Sequence, residues 1–319
     1  MTNSYLITGG TGSFGQAFIR LLLSDPTASR VVIYSRDELK QFEMSKEFKD
    51  DRLRFFIGDI RDRSRLQRAF NGIDVVINAA ALKQVPAAEY NPDECIKTNI
   101  LGTQNIIDAA LDIGIPKVIG LSTDKAVHPI SLYGATKLCS ERLLVAANNL
   151  SGQKGPKFSV IRYGNFLGSR GSIIPLFKEM ASLGTIPITD KRMTRFWVTL
   201  EDAANFAYAC IKVMRGGEIF VPKLKSSKVI DIANEIAPNC KHEIIGMRQG
   251  EKLHETLIGE EEFETVRDIG PYFVIDQVIG RWRNEGIALS SDQCMSSKIG
   301  ESHGQEVDSR NAHEEGRTS

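Results

Sequence analysis

The sequence predicts an α/β protein: a doubly wound parallel sheet with a smaller C-terminal substrate-binding lobe. Two observations support this. Short apolar runs alternate with amphipathic segments through the first half of the chain, and a glycine-rich stretch directly follows the first run. Continuous apolar runs are typical of strands buried on both faces, and a repeated strand–helix–strand order gives parallel strands with right-handed crossovers.

The predicted elements follow one another at regular spacing. Apolar runs predict strands at residues 5–8, 31–34, 53–57, 74–78, 117–121 and 158–162. The amphipathic segments between them predict helices that include residues 14–23, 63–70, 99–111 and 132–147. Ligands of such sheets bind at the carboxyl ends of the strands, so we expect the chemistry there.

Three regions differ in composition. Residues 1–164 carry the sheet pattern, and we predict that they form the cofactor-binding and catalytic domain. In residues 165–280 glycine and proline become frequent, which indicates a substrate-binding lobe. Residues 281–319 are poor in apolar residues. We expect a disordered tail there, which truncation near Gly280 would remove without loss of cofactor binding.

The composition argues against several classes of protein. Lys+Arg and Asp+Glu are 40 each, so the formal net charge is zero, whereas nucleic-acid binders usually have a basic excess. Five scattered cysteines without a CxxC pair argue against zinc sites and disulfides and favour reduced thiols in the cytoplasm. His128 and His254 lack metal-ligand spacing, so we predict no metal. The chain start shows no signal-peptide pattern, and no apolar run approaches the ~20 residues of a membrane span.

The glycine-rich stretch predicts a dinucleotide site. Gly9, Gly12 and Gly15 form a G-x-x-G-x-x-G series between the first predicted strand and helix. Glycines let the backbone turn tightly and approach a pyrophosphate, and the helix N-terminus offers free N–H groups. This placement is typical of a Rossmann-type fold, and the predicted loop also includes Thr11, Ser13 and Phe14.

The residues after the second strand favour NADP. An acid there would bind a ribose 2′-hydroxyl of NAD, but Ser35 and Arg36 occupy the position and suit a 2′-phosphate. Asp37, one residue later, keeps NAD as an alternative. Asp59 follows the third strand and suits the adenine amino group. The rest of the predicted cofactor set is Lys40, Ile60, Asn99, Tyr133, Lys137 and the small residues Ala79, Ala80 and Ala81, which would let a dinucleotide pass.

A candidate catalytic cluster follows the fifth strand. Thr123 stands at the strand end, and Tyr133 and Lys137 lie four apart on a predicted helix, so both project from one face. A lysine ammonium beside a tyrosine stabilises the phenolate. We therefore expect Lys137 to lower the pKa of Tyr133 and make it a usable base.

These motifs resemble the extended short-chain dehydrogenase/reductases. Longer stretches are similar to one subgroup, the inverting UDP-N-acetylglucosamine 4,6-dehydratases. The stretches occur in order over about residues 3–277: SRDELKQ (35–41), AAALKQVP (79–86), LSTDKA (121–126), LYGATKLCSE (132–141), RYGN (162–165), MTRFWVT (193–199) and GEKLHE (250–255).

The resemblance implies a reaction. Retaining relatives typically carry Asp-Glu where this chain has Asp124-Lys125, as the inverting subgroup does. Tyr133 would take the 4-hydroxyl proton, neutral Lys125 the proton on carbon 5, and protonated Asp124 would assist loss of the 6-hydroxyl. The implied product is UDP-2-acetamido-2,6-dideoxy-L-arabino-hexos-4-ulose, for bacterial surface-glycan or flagellin sugars of the pseudaminic acid type.

The resemblance also implies substrate contacts and assembly. The predicted substrate-binding residues are Lys83, Asn165, Arg195, Arg248 and Glu251, of which the arginines suit the two phosphates of UDP. We expect a homo-oligomer. After residue 277 the chain departs from the family pattern, whereas the motifs of the catalytic cluster all match it.

Two other functions fit some of these features. A nucleotide-sugar 4-epimerase or a carbon-5-retaining dehydratase would use Thr123, Tyr133 and Lys137, but neither explains Asp124-Lys125. A non-catalytic NADP-sensing scaffold on the same fold commonly loses the tyrosine or the lysine, and this chain keeps both.

Overall fold

A computed structural model describes residues 3–276. These residues belong to one compact unit, and the predicted tail at 281–319 lies outside the described range. The first eight strands and helices alternate: β1 Asn3–Thr8, α1 Ser13–Ser24, β2 Ala28–Ser35, α2 Glu38–Glu47, β3 Leu53–Ile57, α3 Arg63–Phe70, β4 Val75–Asn78 and α4 Val85–Tyr90.

The middle of the chain carries the elements around the candidate cluster. They are α5 Pro92–Ile96, a π-helical turn Lys97–Leu101, α6 Gly102–Ile113, β5 Lys117–Thr123, a 3-10 turn Asp124–Ala126, α7 Leu132–Ser151, β6 Lys157–Tyr163 and β7 Asn165–Phe166. The helix predicted from residue 99 therefore starts in a π-helical turn, and the one predicted to end at 147 extends to Ser151.

The last part of the chain is less regular. It comprises α8 Ile173–Ala181, β8 Thr185–Ile188, β9 Thr194–Val198, α9 Leu200–Val213, β10 Glu218–Pro222, β11 Lys225–Lys228, α10 Val229–Ile236, β12 Lys241–Ile244, a 3-10 turn Glu260–Thr265, β13 Val266–Asp268 and β14 Tyr272–Asp276.

The large sheet has nine strands in the order β13-β14-β10-β6-β5-β4-β1-β2-β3. The seven strands from β10 to β3 are parallel, and β14 pairs antiparallel with β10. The 3-2-1-4-5-6 core of this order is that of doubly wound dinucleotide folds. The predicted Rossmann-type class is confirmed.

Alternating side chains bury both faces of the sheet. Tyr5 and Ile7 of β1 belong to the core beneath α1 and α9, while Leu6 belongs to the core on the opposite face. This period of two is what the continuous apolar runs predicted. Helix α6 packs against α3 on one side and against α7 on the other.

The chain after residue 164 divides between the large sheet and a smaller core. Helix α9 packs against α1, and β10, β13 and β14 extend the sheet. A separate cluster around Phe177, Ile186 and Val229 joins α8, β8 and α10. The last strands of this stretch therefore belong to the large sheet, and the smaller core is built from the segments between residues 173 and 237.

No helix within residues 3–276 is long and apolar enough to cross a membrane. The same residues contain no group of His, Cys, Asp and Glu side chains that could hold a metal ion.

Candidate active site

The glycine loop makes a tight turn against the fourth strand. Gly9 has φ +64°, and a Cβ there would lie 2.9 Å from the Cα of Ala80. A Cβ on Gly15 would lie 2.5 Å from the carbonyl oxygen of Gly10. Gly12 precedes α1 without a side-chain cap, so the first N–H groups of that helix are available to an anion.

A cavity of about 460 Å³ lies at the carboxyl ends of the central strands. Every predicted cofactor-binding residue except Asn99 lines it: Gly9, Thr11, Gly12, Ser13, Phe14, Gly15, Ser35, Arg36, Lys40, Asp59, Ile60, Ala79, Ala80, Ala81, Tyr133 and Lys137. Sequence reasoning missed several further lining residues, namely Tyr34, Gly58, Thr98, Leu121, Ser122, Phe166, Ser169 and Arg170.

Asn99 has a different position from the one predicted. Its side chain is buried in the protein, where it exchanges hydrogen bonds with both backbone groups of Leu82 at 2.8 and 2.9 Å. It also donates to the hydroxyl of Thr136 at 3.0 Å. Asn99 therefore ties the segment after β4 to α7, while its neighbour Thr98 lines the cavity. The π-helical turn, which the sequence pattern did not reveal, contains both residues.

Charged side chains surround the end of the cavity after β2. The hydroxyls of Thr11 and Ser35 lie 2.9 Å apart. Arg36 is half exposed, with Nη1 3.4 Å from Oδ2 of Asp59, and Asp37 is paired with Lys40. Asp37, the acid that would favour NAD, is therefore already paired with a lysine.

Arg170 closes the same region from the loop after β7. The Arg170 guanidinium donates to the carbonyl oxygen of Thr11, and the backbone N–H of Arg170 donates to the Ser13 hydroxyl at 3.1 Å. Gly168 and Gly171 on either side have positive φ, which lets the loop turn over the phosphate loop. These glycines after a strand end were a sequence feature that could have identified Arg170.

The catalytic helix begins against the turn after β5. The Ser131 hydroxyl accepts from the N–H of Gly134 at 3.1 Å and caps α7. A Cβ on Gly134 would lie 2.3 Å from the carbonyl oxygen of Lys125. A glycine there lets the first turn of α7, which carries Tyr133, pack directly on the Asp124–Ala126 turn.

The electrostatics of Tyr133 differ from the expectation. Burial raises the pKa of Tyr133, and the charge of Asp124 raises it further, whereas a hydrogen bond with Thr123 lowers it. Burial also lowers the pKa of Lys137 to about 8. The Lys137 ammonium donates to the carbonyl oxygen of Leu121 at 2.6 Å. The net shift of the Tyr133 pKa is therefore upward, opposite to the expected direction, because burial and the charge of Asp124 dominate.

Asp124 and Lys125 lie in a charged cluster outside the cavity lining, next to Thr123. The Thr123 hydroxyl donates to Oδ1 of Asp124 at 2.9 Å, and Lys125 Nζ donates to the same atom at 3.0 Å. Lys125 Nζ also lies 3.2 Å from Oδ1 of Asn165 and 3.4 Å from Oε1 of Glu255. The lysine is held in ion pairs, and Glu255 was not predicted.

The predicted substrate residues have separate environments. Lys83 lines the cavity and donates to the carbonyl oxygen of Arg170 at 3.2 Å. Asn165 contacts Lys125, whereas Arg248 is half exposed, 3.9 Å from Glu251. Arg248 and Glu251 both lie in the loop that leads to Glu255.

Arg195 is placed differently from the prediction. It is buried, and its guanidinium donates to the carbonyl oxygens of Thr194, Leu253 and Lys252 at 2.7 to 3.1 Å. A guanidinium satisfied by three backbone oxygens is poorly placed for a phosphate. Its observed contacts join β9 to the segment at 252–253 instead.

Known proteins resemble the chain over nearly its whole described length. The family model described as "Polysaccharide biosynthesis protein" matches residues 5–277. An inverting UDP-N-acetylglucosamine 4,6-dehydratase of Campylobacter jejuni strain 81-176 is 54% identical over 276 residues, covering 86% of this chain and 83% of that protein.

Two solved structures share the fold. Pen from Bacillus thuringiensis superposes with a TM-score of 0.83 and 37% identity, covering 88% of this chain and 89% of that one. DesIV of Streptomyces venezuelae, a dTDP-glucose 4,6-dehydratase with NAD and TYD bound, gives 0.73 and 25%, covering 82% and 90%. The resemblance inferred from the motifs is confirmed, and the chain belongs to the polysaccharide biosynthesis protein family.

Proposed function

We propose that this protein is an NADP-dependent UDP-N-acetylglucosamine 4,6-dehydratase, a hydro-lyase that inverts carbon 5. The observation that carries this proposal is the Asp124-Lys125 pair, held directly after Thr123 and against the helix of Tyr133. The similarity to the Campylobacter jejuni enzyme of that name supports the same substrate and stereochemistry.

The cavity fits a nicotinamide dinucleotide. The pyrophosphate would lie on the glycine loop and the uncapped start of α1. The loop packs so closely that a Cβ on Gly9 or Gly15 would clash with neighbouring backbone atoms. Ser35 and Arg36 would hold a 2′-phosphate, which favours NADP, with Lys40 and Arg170 adding positive charge. When bound, the dinucleotide would accept the hydride of carbon 4 and give it back at carbon 6, so that it would end as it began, and its oxidised form would add positive charge to the site.

The chain's own residues move the protons. Tyr133 takes the proton of the sugar 4-hydroxyl, and its phenolate is stabilised in a site that gains positive charge. Lys125, in its neutral form, takes the proton on carbon 5, which a 4-ketone makes acidic, and a solvent proton is delivered to the opposite face of that carbon, which inverts it. Asp124 protonates the leaving 6-hydroxyl, and its Oδ2, buried without a hydrogen-bond partner in the described structure, is free for that proton.

The substrate side of the site follows the same arrangement. Lys83 at the cavity and Asn165 beside Lys125 would contact the sugar. Arg248 and Glu251 would contact the nucleotide, since Arg248 is exposed and free to turn toward phosphate. We further propose a cytoplasmic homo-oligomer that makes precursors of bacterial surface glycans or flagellin sugars.

Proton NMR of the purified protein with UDP-N-acetylglucosamine and NADP in D₂O tests this function. We expect the L-arabino 4-keto-6-deoxy product with deuterium at carbon 5. Tyr133→Phe should reduce turnover by at least about 10²-fold in a folded protein, because the phenol starts the reaction.

Other products would identify the alternatives. D-xylo product alone at early times, before slow epimerisation, would indicate a retaining dehydratase. A carbon-4 epimer without loss of the 6-hydroxyl would indicate an epimerase, and NADP binding without turnover a scaffold.

A further inference from the structure

Glu255 is a buried carboxylate at the edge of the catalytic cluster. Its side chain is 2% exposed, in the segment that follows the candidate substrate loop. Oε1 lies 3.4 Å from Lys125 Nζ, and Oε2 lies 2.8 Å from Lys252 Nζ, although the latter contact lacks hydrogen-bond geometry. Burying a carboxylate is costly unless it is paired, so these two lysines are what keep Glu255 there.

Lys252 ties this carboxylate to the catalytic turn a second time. It lies three residues before Glu255, and its ammonium donates to the carbonyl oxygen of Val127 at 2.8 Å. Val127 directly follows the Asp124–Ala126 turn. The Lys252–Glu255 pair therefore contacts both the side chain of Lys125 and the backbone after it.

Lys125 is held from three sides. Asp124 lies on its own turn at 3.0 Å, Asn165 on β7 at 3.2 Å, and Glu255 on the later segment at 3.4 Å. A flexible lysine side chain has substantial rotamer entropy, and several simultaneous partners fix one geometry. Two carboxylates pair with Lys125. Asp124 also accepts a hydrogen bond from Thr123 at the end of β5, whereas Glu255 does not contact that strand end.

We propose that Glu255 is a positioning residue for Lys125, through which the segment at 251–258 completes the proton-transfer site. Its importance for proton transfer at carbon 5 rests on the proposed function, whereas its hold on the Lys125 amine does not. Glu255 also contributes to raising the pKa of Tyr133, less than burial, Asp124 and Cys95 do.

The first experiment measures the amine directly and needs no substrate. Full-length wild-type protein, Glu255→Gln and Glu255→Asp are pulse-labelled with an amine-acylating reagent at one pH, and acylation of Lys125 is measured by peptide mass spectrometry. The exposed Lys154 is the internal reference. Glu264→Gln, which removes the same charge from an exposed position nearby in sequence, is the matched control.

We expect Lys125 to be acylated about threefold faster in Glu255→Gln, as loss of one ion pair implies, and near the wild-type rate in Glu255→Asp and Glu264→Gln. An unchanged Lys125 rate in Glu255→Gln, with Lys154 labelled normally, would overturn the positioning role. This outcome is independent of which sugar the protein uses.

The second experiment separates steps of the reaction. With UDP-N-acetylglucosamine in D₂O, Glu255→Gln should slow deuterium entry at carbon 5 and product formation about 10- to 100-fold, with KM within about threefold of wild type. Single-turnover NADPH formation, which depends on Tyr133, should stay near wild type, and Glu255→Asp should recover part of the exchange.

The outcomes separate the two proposals. Equal slowing of NADPH formation and exchange, or an effect on KM alone, would show that Glu255 does not act through Lys125. A wild-type protein inactive on this substrate would refute the proposed function, and the labelling result would still decide the positioning role.

Discussion

Lys137 shows how burial changes one residue of the site. It lies on α7 one turn after Tyr133, is buried, and has its pKa lowered to about 8 by that burial. Below pH 8 its amine is charged in both the folded and the unfolded chain, so the folded state carries the full desolvation cost. Above pH 8 the folded chain loses this proton before the unfolded chain, whose lysines titrate at about 10.4. The native state therefore gains stability from this residue as pH rises.

We expect Lys137→Met to raise the free energy of unfolding by about 1–3 kcal/mol at pH 7, because an apolar side chain avoids the desolvation cost. The gain over wild type should shrink between pH 8 and pH 9.5. Urea denaturation of the wild type and the variant at pH 7 and at pH 9.5 measures the difference in the free energy of unfolding. A gain that grows with pH, or a destabilised variant at pH 7, would show that Lys137 is better compensated than its single hydrogen bond with Leu121 suggests.

Arg36 is the residue on which the cofactor preference depends. Its guanidinium is half exposed and loosely paired with Asp59, which is held more closely by Arg61 at 2.8 Å. We expect Arg36→Ala to weaken NADP binding about 10- to 100-fold, the scale of a charge-assisted hydrogen bond, and to change NAD binding little. Calorimetric titration with both cofactors measures this.

The control for Arg36 is Arg54→Ala, the same charge change at an exposed position on β3. Tighter binding of NAD than of NADP by wild type, or equal NADP binding by Arg36→Ala and Arg54→Ala, would contradict the preference.

At the scale of elements, a buried ion network joins α7 to β6. Arg162 on β6 donates to both carboxylate oxygens of Glu141 on α7, at 2.8 and 3.1 Å. It also donates to Glu262 in the 3-10 turn at 2.7 and 2.9 Å and to the carbonyl oxygen of Leu257. The helix that carries Tyr133 and Lys137 is thereby fixed to the sheet and to the segment after Glu255.

Removing one partner of this network should be costly. Glu262→Ala should lower the free energy of unfolding by about 3–5 kcal/mol, because it leaves a buried guanidinium less well paired and frees the N–H of Gly259. Glu264→Ala, two residues away and exposed, should stay within about 0.5 kcal/mol of wild type. Urea denaturation compares them, and equal stabilities would mean that Glu141 alone neutralises Arg162.

At the scale of the whole molecule, the sheet depends on chain segments that follow the substrate loops. Helix α9 covers one face, where Ala203, Ala207 and Ile211 belong to the same core as Phe18 of α1. The Tyr163 hydroxyl donates to the carbonyl oxygen of Ala203 at 2.6 Å. The predicted boundary at residue 164 therefore separates contiguous stretches of sequence that share one core.

A fragment of residues 1–164 should consequently fail to fold cooperatively. It would expose the face that α9 covers and leave β6 without its partner β10. We expect dye binding to exposed apolar surface and a broad thermal transition, whereas a fragment of residues 1–284 should unfold sharply. A sharp transition and NADP binding by the short fragment would show that residues 1–164 are an independent domain.

Sequence alone determined six of the nine strands of the large sheet, its class and most of the dinucleotide site. The strand predicted at 53–57 and the helix predicted at 63–70 have the same bounds in the structure. Such elements are predictable because apolar periodicity and glycine spacing are local properties of each short stretch. The motifs also placed Thr123, Tyr133 and Lys137 together, since a strand end and the helix after it are joined by a short turn.

Only the tertiary structure decided which side chains meet across long separations. Asn99 and Arg195 are polar residues in matching motifs, yet packing turned both toward backbone groups of the protein. Glu255 reaches Lys125, and Arg170 reaches the phosphate loop, only because distant segments fold onto the same sheet edge. No local pattern encodes such contacts, because burial and pairing depend on what the rest of the chain brings to that place.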